Sequence, residues 1–145
     1  MSSRLNKQRL CLLGVFLIAV LLRLPALEMP IDNDGGARAY HARLILAGEP
    51  LYGSHHTGHH LPAIYYTYAL AMSLFGDSAW AIQFFLLLWT LPTVYFLYRL
   101  AFELTEDWGT AVLAALFYAL LSAYLQLWGQ TAETALFANF FRIKA

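Results

Sequence analysis

The sequence predicts an all-α, multi-pass transmembrane protein with a loop of interfacial helices after the first span. Three observations carry that prediction. Of 145 residues, 60% are hydrophobic and only 12% are charged, whereas a soluble domain runs nearer half apolar with about 25% charge. Apolar runs close to spanning length recur at residues 10–27, 80–100 and 108–127. Between the first two lies a polar stretch, residues 32–68, that holds all five histidines and two of the aspartates. Ionisable groups are costly in hydrocarbon and collect at its edges, so such a stretch is where a membrane protein keeps its chemistry.

The elements follow in order, as one membrane domain over residues 1–145. The N-terminus carries Arg4, Lys7 and Arg9 and no acid, which favours a cytoplasmic start. Residues 10–27 are long enough to cross if Arg23 snorkels to the outer interface. A cleaved signal peptide is the rival reading, but no small-x-small cleavage site follows. Residues 28–79 are expected to form an extracytoplasmic loop with two amphipathic helices. The first runs from Gly35 to Ala47, with Ala37, Tyr40, His41, Leu44 and Ile45 on one face and Arg38 and Arg43 elsewhere. Gly48 caps it and Pro50 lies just beyond. The second begins near Pro62 and ends at Gly76. Its apolar run of about 14 residues suits the interface better than a crossing.

Asp77 or Ser78 should cap the second span, 80–100, which Pro92 can kink. The turn Thr105-Glu106-Asp107 leads to a third span, 108–127. Residues 131–145 open a fourth. The formal net charge of zero gives no attraction for nucleic acid. The single cysteine, Cys11, rules out an intrachain disulfide.

The order of signals resembles the polyprenyl-phosphate-sugar-dependent glycosyltransferases of the GT-C fold, the bacterial relatives of dolichyl-phosphate-mannose–protein mannosyltransferases and the aminoarabinose transferases. The residues that carry the resemblance are Asp32-Asn33-Asp34-Gly35-Gly36, Gly48-Glu49-Pro50-Leu51-Tyr52, His59-His60-Leu61-Pro62-Ala63-Ile64-Tyr65-Tyr66 and Tyr68-Ala69-Leu70-Ala71-Met72-Ser73-Leu74-Phe75-Gly76. Gln130-Thr131-Ala132-Glu133 resembles the place where a glutamate opens the family's fourth span. Gly35 stands where the family has a glutamate, and His60 and Leu61 where it has a lysine and a proline.

The resemblance implies the N-terminal part of a longer membrane enzyme. That enzyme moves a sugar from a polyprenyl-phosphate donor to a lipid, glycan or protein acceptor on the outer face of the plasma or inner membrane. Three or four spans alone are expected to be inactive, because they cannot close donor and acceptor cavities. The transition state resembles an oxocarbenium ion. Phosphate is already a good leaving group, so one carboxylate base and cations for the phosphate suffice.

Asp34 is the candidate base and Asp32 its backup; the competing reading of Asp34 is a helix cap. Arg38, His59 and His60 are candidates for the donor phosphate, while Arg43 reads equally as an interfacial anchor. His59 and His60 precede a helix start, where backbone N–H groups add to the pull on phosphate. Glu133 is a possible site carboxylate or a first-turn acid. Tyr65, Tyr66 and Tyr68 read as interface aromatics or as the lining of a groove. No cofactor is expected. The run His55-His56-Thr57-Gly58-His59-His60 lacks the fixed fourth ligand a metal site needs and reads as a solvated loop. The competing function is a small non-enzymatic membrane protein whose His-rich loop binds metal or a partner.

Overall fold

A computed structural model describes residues 2–52, 61–124 and 134–144 of the chain. The described residues are helical with no strand: α1 (Ser2–Arg23) and a 3-10 turn (Leu24–Glu28), then α2 (Asn33–Leu46), α3 (Pro62–Phe75), α4 (Ala79–Thr105), α5 (Trp108–Leu121) and α6 (Thr134–Lys144). Two segments are long and apolar enough to cross a membrane, Asn6–Glu28 and Ala79–Thr105. Their length and composition are consistent with an all-α membrane protein.

Local chemistry accounts for most of the boundaries. Pro25 disfavours helical geometry at Leu24, so α1 tightens into the 3-10 turn there. Asp32 caps α2, its Oδ1 accepting from the Gly35 N–H at 3.0 Å. Gly48, at φ 88°, closes that helix in the left-handed region glycine tolerates. Pro62 opens α3, where a missing N–H costs nothing. Ser78, rather than Asp77, caps α4 by accepting from Ala81 N–H.

α4 runs through Pro92, which removes one backbone donor. Near it the Thr90 and Thr93 hydroxyls donate back to the Leu86 and Trp89 carbonyls. An Arg99–Glu103 pair at 2.8 Å, one turn apart on the exposed surface, accompanies the helix past residue 100 to Thr105. Glu106 takes the left-handed position and Asp107 caps α5.

Two cores hold the helices. Val15 and Ala19 of α1, Val94 of α4, and Ala115 and Ala119 of α5 form one. The alanines Ala111, Ala115 and Ala119 recur every fourth residue and are fully buried. Small residues at that spacing let helix backbones approach closely without a polar glue. The second core joins Ala39 and Ala42 of α2, Ile64, Tyr65, Tyr68, Ala69 and Met72 of α3, the N-terminal part of α4 through Ile82, Phe85 and Leu86, and Phe137 of α6. The α2–α3 pair therefore sits on the first turns of α4.

Arg23, expected to snorkel, instead folds against the bundle. It is buried, and its Nη2 donates to the Ser122 carbonyl at 2.6 Å. That carbonyl closes the C-terminal end of α5, where a cation complements the helix dipole. The contact puts the ends of α1 and α5 together, so the two helices run parallel with α4 antiparallel to both. The described α5 stops at Leu121, short of the expected residue 127; residues 125–133 lie outside the described part.

Candidate functional site

Of the polar stretch at residues 32–68, the described Asp32, Asp34, Arg38 and His41 lie on or beside α2, which packs against α3. α2 turns inward the side made of Gly35, Arg38, Ala39, His41 and Ala42. This departs from the face expected from periodicity, because Tyr40 is exposed and Arg38 is buried. The reason is size: glycine and alanines on that side let α2 lie close against Ile64, Tyr65 and Tyr68 of α3. His41 is enclosed there, its ring edge-on to Tyr65 with centroids 5.2 Å apart.

The two aspartates do different jobs. Asp32 is the cap, so its Oδ1 is occupied by the Gly35 N–H. Asp34 lies in the first turn of α2 and is not the cap. Its side chain is 72% exposed, and Oδ2 lies 3.8 Å from Nη2 of Arg38, whose own side chain is only 3% exposed. A carboxylate in the first helical turn is also favoured by the helix dipole. The arrangement is an open anion standing over a buried cation.

Gly35 occupies a position with no room for a side chain. A Cβ at this position would collide with Ile31 Cγ2 and come within 2.7 Å of Asp32 Oδ1, with Tyr68 Oη 3.5 Å away. No side chain, glutamate included, fits there without displacing the cap.

Tyr68, which the sequence marks as an interface aromatic or groove lining, is buried beside the acidic turn. It is 1% exposed, with its hydroxyl near Gly35 and its ring edge-on to Phe137 of α6. The legible signal is the buried stripe Ile64, Tyr65, Tyr68, Ala69, Met72 at helical spacing, which leaves Tyr66 on the outer face. Phe137 is itself fixed to α4, since its carbonyl accepts from Trp89 Nε1 at 3.0 Å. Tyr68 thus connects the acidic turn of α2 to α6.

Arg43 pairs with Asp77 across the turn before α4, its Nε within 2.9 Å of Oδ1 and 2.8 Å of Oδ2. The hydrogen bond from Arg43 holds the Asp77 carboxyl below the usual carboxylate range and raises the guanidinium's own value. A depressed carboxyl stabilises the fold above its unfolded pKa, and that contribution is lost as pH falls through the lower, folded value. Both side chains are about half exposed, so the pair is worth at most about 1 kcal/mol.

His55, His56, His59, His60 and Glu133 lie outside the described residues. Among the sequence-selected site residues, the structure brings Asp32, Asp34 and Arg38 together on one helix.

Two helices of membrane-spanning length and apolar composition, with no strand among the described residues, fit an all-α membrane protein. A family model described as dolichyl-phosphate-mannose-protein mannosyltransferase matches residues 55–142, more than half of the sequence, and the chain belongs to that family. Its members are glycosyltransferases of the GT-C type. The matched stretch runs from before α3 into α6, and α1 and α2, with Asp32, Asp34 and Arg38, precede it. Comparisons with curated proteins and with solved structures return no match.

Proposed function

We propose that this chain takes part in sugar transfer from a polyprenyl-phosphate donor to an acceptor at the extracytoplasmic membrane surface, with Asp34 as the base. The observation that carries this reading is the division of labour between the aspartates. Asp32 does the capping, which leaves the exposed carboxylate of Asp34 available as a base. In the step itself the acceptor oxygen forms a bond to the sugar's first carbon while the bond from that carbon to the phosphate oxygen breaks. The polyprenyl phosphate leaves with the electron pair, and Asp34 takes the proton of the acceptor hydroxyl. His59 and His60 supply donors for the departing phosphate, and Glu133 is a further carboxylate of the same site.

This reading requires α2 and α3 to lie outside. In a Cys11→Ser background, Glu49→Cys should react with a membrane-impermeant maleimide on intact cells. Glu106→Cys should react only after permeabilisation. Labelling of both from the same side would remove the topology.

The activity is tested by deleting the gene at its native locus and analysing lipid extracts by mass spectrometry. A polyprenyl-phosphate-linked sugar should accumulate, because its consumer is gone. An unchanged pool of such lipids rules the reading out.

A further inference from the structure

We infer that Arg38 is a positioning residue for Asp34, a buried guanidinium that orients the reacting carboxylate from behind rather than holding the donor phosphate. The inference rests on the reading of Asp34 as the base. Its first support is the contrast in exposure along one turn of α2: 3% for the arginine side chain and 72% for its aspartate neighbour, 3.8 Å apart. An arginine does not lose its proton in a protein, so Arg38 keeps its charge in this buried position. Asp34 is an anion at the solvent edge of that burial.

The second support is packing. Arg38 belongs to the inward side of α2 with Gly35, Ala39, His41 and Ala42, the side whose alanines pack on Ile64, Tyr65 and Tyr68 of α3. A guanidinium held in this layer has to leave it to meet a phosphate in the aqueous interface. Holding Asp34 requires no movement. The separation is also suited to the task. At 3.8 Å the attraction is ionic rather than a short hydrogen bond. It fixes the carboxylate's place and leaves its lone pairs to accept the acceptor's proton.

The test uses variants at the native locus, with the amount of inserted protein measured in each membrane preparation. The donor is the polyprenyl-phosphate sugar extracted from cells lacking the gene. Arg38→Gln should lower kcat by about tenfold to a hundredfold, the scale of a misplaced catalytic group, with the donor KM unchanged. Arg38→Lys, which keeps the charge, should recover part of the rate. In an Asp34→Asn background Arg38→Gln should cause no further loss, because the group it acts through is gone.

A donor KM that rises while kcat is kept overturns the inference and returns Arg38 to the phosphate. So does a loss that multiplies with that of Asp34→Asn, or a normal rate in Arg38→Gln. If Arg38→Gln does not accumulate in the membrane, Arg38→Lys is carried through the same cycle. Normal turnover by Asp34→Asn alone instead sinks the base assignment, which keeps the two failures apart.

Discussion

Asp34→Asn should abolish sugar transfer while leaving membrane insertion and helix content unchanged. The expected loss is a hundredfold or more in rate, the usual scale for removing a general base. Asparagine keeps the shape of the side chain and removes its charge and proton affinity. The change is structurally mild because Asp34 does not cap α2; Asp32 does, through the Gly35 N–H. Arg38 loses an anion at 3.8 Å, but the partner side chain is largely exposed and polar contact persists through the amide. The companion variant, Asp32→Asn, keeps the cap, since asparagine caps about as well as aspartate. It should retain most of the transfer rate. Loss of transfer in Asp32→Asn with near-normal rates in Asp34→Asn moves the base to Asp32. Activity in both removes the acidic turn from the chemistry.

The second large effect is structural. Tyr68→Ala should lower stability by about 3–5 kcal/mol, the range for emptying a buried aromatic site. The ring is almost wholly buried among α2, α3 and α6, and its contact with Phe137 is part of what holds α6 to the acidic turn. Tyr68→Phe keeps the ring and removes the hydroxyl near Gly35, so it should lose only about 1 kcal/mol. Tyr66→Ala, on the exposed face of the same helix, should change stability by about 0.5 kcal/mol or less. Thermal unfolding of the detergent-solubilised protein measures all three. Equal destabilisation by Tyr66→Ala and Tyr68→Ala contradicts the packing described here.

Sequence reading recovered the starts and stops that depend on local chemistry. Pro62 and Gly76 bound α3, Gly48 follows α2 and Ser78 caps α4, each where a single residue settles the backbone. It misjudged what depends on distant contacts. Charge pattern alone points Arg38 at water, whereas the packing of Ala39 and Ala42 against α3 turns it inward. Position alone makes Arg23 an interfacial anchor, whereas in the structure it donates to a carbonyl 99 positions along the chain. No window of local periodicity contains both groups. The site was half legible for the same reason. Two aspartates on one short stretch mark the place, but which one is spent on capping is decided by the backbone geometry at Gly35.

The role of Asp34 as base in transfer from a lipid-linked sugar is tested most directly by mass spectrometry of lipid extracts from cells whose native gene carries only Asp34→Asn. The prediction is that a polyprenyl-phosphate sugar accumulates to the level seen in the gene deletion, with the variant protein present in the membrane at the normal amount. A lipid profile indistinguishable from wild type, with the variant protein present, contradicts it.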